Sequence, residues 1–249
     1  MKKKIAVSLD KDLLEELDRA KKGTLLRSRS QAIEYFLGKG LREREITTAV
    51  LLLHKRHQII SLRPIDGRPL LGHQLDWFSS HGIKKVLILT QFSALMNRLL
   101  VETSAAPIAV EVVDAEVRGN GEALAIAEPK LKGPFVVMSG DILNSFDLKR
   151  MIQSHLREQV IATMGLMDRQ EPSKYGSAIM EGNRIISFAE KTKSASSHVV
   201  NAGIYIFSPE VFSMLKKVIS LERDLFPRLA KDHRLLGYFT RGDYRHVTD

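Results

Sequence analysis

Hydrophobic and polar positions alternate strictly at the start of the chain. Ile5, Val7 and Leu9 fall on one face and Lys4, Ala6 and Ser8 on the other, which is the period of a half-buried strand. The period then lengthens: Asp10 offers an N-cap, and Leu13, Leu14, Leu17 and Ala20 recur at helical spacing up to Gly23. A second helix is predicted to begin at Ser28 or Ser30, whose hydroxyls can cap it, with Ala32, Ile33, Phe36, Leu37 and Leu41 along one side. A strand, a helix, a short turn and a helix in about 45 residues bury too little surface to stand alone, and the single strand has no partner. The pattern therefore predicts a homodimer, or a higher even-numbered oligomer, in which two strands pair antiparallel and four helices enclose the apolar positions.

From Ile46 the pattern becomes an alternation of apolar strands and amphipathic helices. Strands are predicted at 48–53, 86–90, 108–113 and 134–138, and helices at 71–81, 92–101, 121–128 and 148–155. Such βα alternation argues for an α/β fold, an α/β/α sandwich with a mixed, mainly parallel sheet. The domains expected are 1–45 and 46–249, joined at 42–46 by a charged stretch that reads as a helical extension. Trp77 and Phe78 lie on the apolar side of a predicted helix and belong to the core.

Composition narrows the possibilities. The chain has 249 residues, of which 44% are hydrophobic and 27% charged, enough for a real core. A formal net charge of +9 and a pI near 9.7 point towards a polyanionic partner. The lack of cysteine excludes disulfides, thiolate catalysis and thiolate metal sites. Apolar runs such as Ala49-Val50-Leu51-Leu52-Leu53 fall far short of a membrane span, and charges follow Leu9 at once, so neither a membrane partner nor a signal peptide is expected and the reading is cytoplasmic.

The segment KKKIAVSLDKDLLEELDRAKK, Gly23 and SRSQAIEYFLGKGL together resemble the ribbon-helix-helix DNA-binding family. That resemblance implies a two-stranded ribbon in the major groove of double-stranded DNA, with Lys4, Ala6 and Ser8 facing base edges and Lys2 nearby. It also implies a phosphate at the start of the second helix, Ser28-Arg29-Ser30, with charge from Arg27 and Arg29. The plainer alternative is a solvated basic tail on a dimerisation unit.

Further along, Asp66-Gly67-Arg68-Pro69-Leu70-Leu71, Gly119-Asn120-Gly121-Glu122-Ala123-Leu124, Ser139-Gly140-Asp141, Tyr175-Gly176, Glu190-Lys191 and Val200-Asn201-Ala202-Gly203-Ile204-Tyr205 occur in order. Together they resemble the sugar-1-phosphate nucleotidyltransferase family. The resemblance implies a base-binding turn at Gly119 and Gly121, a magnesium-holding carboxylate at Asp141, and a sugar-phosphate or nucleotide-sugar site at Glu190, Lys191, Asn201 and Gly203. Packing glycines, a turn-forming Asn201 and a surface Glu190–Lys191 pair are the structural alternatives; for Asp141 the alternative is a helix N-cap.

Three departures stand out. The glycine-rich phosphate loop is replaced by Leu53-His54-Lys55-Arg56-His57-Gln58, no lysine is recognisable after it, and His246 stands where a second metal carboxylate belongs. Asp243 and Asp249 are nearby substitutes, and His54 with His57 lack further ligands for a metal. No cofactor is therefore expected, and no residual magnesium at Asp141. The resulting expectation is a dimeric DNA-binding transcriptional regulator whose large domain, without efficient catalysis, senses a sugar phosphate or nucleotide sugar or supplies oligomer contacts. The alternative is an active sugar-phosphate nucleotidyltransferase with an autoregulatory DNA-binding domain.

Overall fold

The structure, a computed structural model, describes residues 6–21, 26–42, 45–192, 197–239 and 242–247. The chain divides into two compact units, Met1–Glu45 and Ile46–Asp249.

The first unit contains helices α1 (Lys11–Lys21) and α2 (Arg29–Arg42). Their starts follow capping chemistry. Asp10 Oδ1 accepts the amide of Asp12 at 2.8 Å, and Ser28 Oγ accepts the amide of Gln31 at 3.1 Å. The expected strand is corrected: residues 6–10 belong to no strand, because strand hydrogen bonds require a neighbour and the described residues of this unit offer none. Lys2 and Lys4 lie outside the described residues. Ala6, Ser8, Arg27, Ser28 and Ser30 are exposed, whereas Arg29 is engaged by Asp18, with Nε to Oδ1 at 3.0 Å and Nη2 to Oδ2 at 2.6 Å. A guanidinium committed to a carboxylate in a two-bond fork is not the free phosphate contact that the ribbon reading gave it.

The second unit begins with β1 (Thr48–Leu53), α3 (His57–Ser61), the hairpin of β2 (Pro64–Ile65) and β3 (Arg68–Pro69), and α4 (Leu70–Ser80). Asp66 and Gly67 both take positive φ in that hairpin, which is what a two-residue Asp-Gly turn requires. The chain continues through β4 (Lys85–Thr90), α5 (Met96–Ser104), β5 (Ala109–Asp114), α6 (Asn120–Ile126), β6 (Phe135–Ser139), β7 (Ile142–Asn144) and α7 (Leu148–Glu158). Then come β8 (Ala162–Asp168), β9 (Gly176–Glu181), β10 (Arg184–Glu190), β11 (Val199–Phe207), a π-helical turn at Leu221–Leu225, α8 (Phe226–Lys231), β12 (Leu235–Phe239) and β13 (Tyr244–His246).

Among the described residues, nine strands form one sheet in the order β5-β4-β1-β6-β11-β8-β12-β10-β9. The pairs β5–β4, β4–β1, β1–β6 and β8–β12 are parallel; β6–β11, β11–β8, β12–β10 and β10–β9 are antiparallel. The sheet is mixed, as expected, but evenly so rather than mainly parallel. Helical crossovers dictate parallel pairing in the first half, while β11 returns antiparallel between β6 and β8 and a hairpin joins β9 to β10.

Alternation along the central strands separates two cores. Val50 and Leu52 of β1, Leu87 and Leu89 of β4, and Phe135 and Val137 of β6 face α6 and α8. Ala49, Leu51, Leu53, Val86, Ile88, Val136 and Met138 face α4, α5 and α7. Each fully buried Leu or Phe stabilises this sandwich by about 1.5–3 kcal/mol. Phe78 is in that second core and Trp77 packs against it.

Candidate active site

A cavity of about 640 Å³ opens at the carboxyl ends of β1, β4 and β6, where Leu53, Thr90 and Ser139 line it. This is the crevice that open α/β sheets offer to ligands, because crossover connections leave the strand ends uncovered there. His54 and His57 line one wall, Gly119 and Asn120 another, and Glu190, Lys191, Asn201, Gly203, Tyr205 and Glu222 the far side.

The turn after β1 reaches this cavity without glycine. It runs directly into the five-residue α3, and His54, Lys55 and Arg56 are exposed while His57 is half-buried. Gln58 is fully buried and anchors the turn: its Nε2 donates to Thr90 Oγ1 at 2.8 Å and to the Gln91 carbonyl at 2.6 Å, and its Oε1 accepts from Ser93. Burial lowers the pKa of His54, with the neighbouring His57 and Arg56 adding to the effect.

Asp141 lies at the turn between β6 and β7. Gly140 makes the turn possible, since a Cβ there would stand 2.6 Å from Leu53 Cδ1. Gln74, buried in α4, props the same turn by donating to the Ile142 carbonyl at 2.7 Å and the Gly140 carbonyl at 3.3 Å. The carboxylate faces two imidazoles: His246 Nε2 at 3.0 Å and His57 Nδ1 at 3.5 Å from Oδ2. Burial works against its charge, but the hydrogen bond from His246 and the proximity of His57 prevail, and its pKa sits below the usual carboxylate value. That of His246 is raised, chiefly by the same hydrogen bond. β13 brings His246 there by pairing antiparallel with β7, and the Val247 amide donates to the Asp141 carbonyl at 2.8 Å. Magnesium takes an octahedral set of oxygens. One carboxylate and two ring nitrogens do not fit a magnesium ion held by paired carboxylates, and among the described residues no group of three or more His, Asp or Glu is arranged to hold a metal.

The opposite side of the cavity is a hydrogen-bonded network. Asn120 Nδ2 donates to both oxygens of Glu222, at 3.0 and 2.9 Å, and its Oδ1 accepts the amide of Leu221 at 2.8 Å. Tyr205 Oη donates to Glu222 Oε1 at 3.3 Å and accepts from Asn201 Nδ2 at 2.7 Å. Asn201 Oδ1 in turn accepts the Gly203 amide at 2.8 Å, holding Gly203 at a φ of +66°. Glu190 has a raised pKa, from burial first and then from the charge of Glu222.

Six of the seven residues expected around a ligand line this cavity, while Gly121 is buried behind it in α6, and both turn glycines have a second reason to be glycine. A Cβ on Gly119 would stand 2.3 Å from the Ile219 carbonyl oxygen, and one on Gly121 would stand 2.6 Å from Val218 Cγ1. Sequence reasoning singled out neither Gln74 nor Glu222, and it gave no role to Gln58 or Tyr205, which stand within segments it named. For the two glutamines no plain signal existed, since each directly follows another polar residue, His57 or His73.

This fold and crevice define a class. The family model described as nucleotidyl transferase matches residues 54–244, and the chain belongs to that family. It is 30% identical over 188 residues to the mannose-1-phosphate guanylyltransferase catalytic subunit beta of Drosophila melanogaster, covering 72% of this chain and 51% of that protein. A probable mannose-1-phosphate guanylyltransferase 1 of Oryza sativa subsp. japonica is 27% identical over 190 residues, covering 72% and 53%. The chain thus spans about half the length of these relatives. In fold it is similar to a putative glucose-1-phosphate thymidylyltransferase from Bacillus anthracis, with a TM-score of 0.68 at 19% identity over 81% of this chain and 89% of that one.

These relatives overturn the expectation of a DNA-binding transcriptional regulator with an inactive large domain, and favour the transferase alternative. The physical reason is that missing glycines and a missing carboxylate are losses only if nothing replaces them. Here two imidazoles converge on Asp141, and the rest of the cavity is fully assembled. Among the described residues no helix is long and apolar enough to cross a membrane.

Proposed function

We propose that the Ile46–Asp249 unit joins a nucleoside triphosphate to a sugar 1-phosphate, giving a nucleoside diphosphate sugar and pyrophosphate. The observation that supports this most is the convergence of Asn120, Asp141, Glu190 and Asn201 on one strand-end cavity in a chain of the nucleotidyl transferase family. In the reaction a phosphate oxygen of the sugar phosphate attacks the α-phosphorus, a new P–O bond forms, the α–β bridging bond breaks and pyrophosphate leaves with that electron pair.

In this reading the turn of Gly119, Asn120 and Gly121 receives the base. Glu190, Lys191, Asn201 and Gly203 receive the sugar phosphate. His54, Lys55, Arg56 and His57 offer side-chain cations and hydrogen-bond donors to the phosphates, in place of the glycine-rich loop that the family resemblance implies. Asp141 orients His57 and His246 rather than a protein-held magnesium ion. The names of the relatives make guanosine triphosphate and mannose 1-phosphate the first substrates to try.

The test is pyrophosphate release in a magnesium-containing buffer. Release from guanosine triphosphate or another nucleoside triphosphate that requires the matching sugar 1-phosphate is expected. A chain that is folded yet releases no pyrophosphate with any such pair is not a nucleotidyltransferase.

A further inference from the structure

Glu222 is a carboxylate of the cavity whose hydrogen bonds reach both of its sides. It stands on a π-helical turn, and the wider turn brings the Leu221 amide and the Glu222 side chain to the same residue, Asn120. π-Turns are uncommon and recur at functional sites. From Glu222 one arm runs to Asn120, on the base-side turn. The other runs through the Tyr205 hydroxyl to Asn201, on the sugar-side strand.

The groups hydrogen-bonded to this carboxylate are donors: the Asn120 amide, the Tyr205 hydroxyl, and the Ser220 hydroxyl at 2.9 Å from Oε2. An ionised carboxylate only accepts, so it satisfies all of them at once. A glutamine of the same shape would present an NH2 group to a donor. The Asn120 side chain is committed on both ends, to Glu222 and to the Leu221 amide. Its work is therefore to fix the turn. The raised pKa of Glu190 accords with a second negative charge held close by.

Resting on the transferase reading, we propose that Glu222 is a positioning residue that sets the base-side turn and the sugar-side strand in one fixed spacing, so that the affinities for nucleotide and sugar phosphate both depend on it.

The experiment is calorimetric titration of the whole chain with guanosine triphosphate and, separately, with mannose 1-phosphate. Glu222→Gln is expected to weaken both by about tenfold, or about 1.4 kcal/mol each, with little change in melting temperature. Asn120→Asp combined with Glu222→Gln exchanges donor and acceptor across the same contact, because an aspartate at 120 still accepts the Leu221 amide while the glutamine NH2 now donates to it. This double variant is expected to recover most of the nucleotide affinity, a rescue that loss of stability alone would not show. Should Glu222→Gln fail to fold, Tyr205→Phe, which removes only the sugar-side arm, is expected to weaken mannose 1-phosphate and spare guanosine triphosphate. Unchanged affinities in Glu222→Gln, loss of one ligand only, or no recovery in the double variant would each overturn the positioning role. Failure of the unaltered chain to bind any nucleoside triphosphate or sugar 1-phosphate would instead remove the transferase reading, and this inference with it.

Discussion

The two sides of the cavity are built on opposite plans. On the Glu222 side the polar groups are hydrogen-bonded to one another and the glycines are wedged against Val218 and Ile219. On the His57 side the turn is exposed, carries cations in place of glycines, and is tied down by the buried Gln58 beneath it. The difference teaches how one fold can vary its chemistry. A close-packed, mutually satisfied wall tolerates little change. An exposed turn whose anchor lies below the surface can exchange its side chains freely.

The largest effect that would test this contrast is Gly119→Ala. The added Cβ meets a backbone oxygen that cannot rotate away, and a loss of about 3 kcal/mol in denaturant unfolding is expected. A loss within about 0.5 kcal/mol, the scale of an ordinary surface change, would mean that the wall is plastic after all.

His155 provides a reference outside both sides. It is buried between Thr163 Oγ1 at 2.8 Å and Ser208 Oγ at 3.1 Å, and burial pushes its pKa down to about 4. The unfolded chain therefore binds more protons than the fold between that value and the ordinary 6.5, and stability falls as pH is lowered through this window. The loss approaches about 3 kcal/mol. His155→Gln cannot titrate there, so the stability gap between it and the natural chain should narrow from pH 7 to pH 4. A constant gap would place the acid sensitivity elsewhere.

Next in size is His246→Asp. It restores a carboxylate facing Asp141 and is expected to raise Mn2+ affinity by at least about tenfold, or about 1.4 kcal/mol, as read from loss of the free-ion electron paramagnetic resonance signal. Equal affinity in both proteins would mean that His246 does not define the character of that side. The attraction between Asp141 and His246 is also confined in pH. Its contribution to stability is complete only above the ordinary aspartate range and below the ordinary histidine value, and it is lost as pH rises through the raised value of His246. Exchange of the Val247 amide should accelerate on the alkaline side beyond its intrinsic pH dependence. The smallest effect is expected from Lys55→Ala or Arg56→Ala, within about 0.5 kcal/mol in stability, with weaker nucleotide binding as the only clear consequence.

The legibility of the fold in the sequence divides along the same chain. Strand 48–53 coincides with β1, and 86–90, 108–113 and 134–138 differ from β4, β5 and β6 by one residue at an end or by a single-residue shift. β1, β4 and β6 are buried and β5 is half-buried at the sheet edge, so their apolar runs and the turns between them are plain. From β8 onwards the strands were not predicted. β9 and β10 mix buried and exposed positions around a register shift, and β11 meets strands on both sides over nine residues with a bulge near Gly203. Local periodicity cannot express such pairing. At the site, short motifs indicated Asp141, Glu190 and Asn201, because strand ends and turns leave sequence marks. Glu222 left none, since its importance arises from a contact 102 positions away, and Tyr205 stood in a motif that did not reveal its partners. At the N-terminus the capping residues were legible, whereas the alternation predicted a strand that residues 6–10 do not form, because a strand is a property of two segments and only one was in view.

The clasp of β13 over Asp141 has a consequence for assembly. Asp141 and His246 are separated by 105 positions, so at ordinary synthesis rates about 5–20 s elapse between the making of one and the other. During that interval β1, β4 and β6 can already have associated, while the wall that confines Asp141 does not yet exist. The cavity is thus closed by a contact between two segments made seconds apart, and a ligand bridging them would act as a template for its completion.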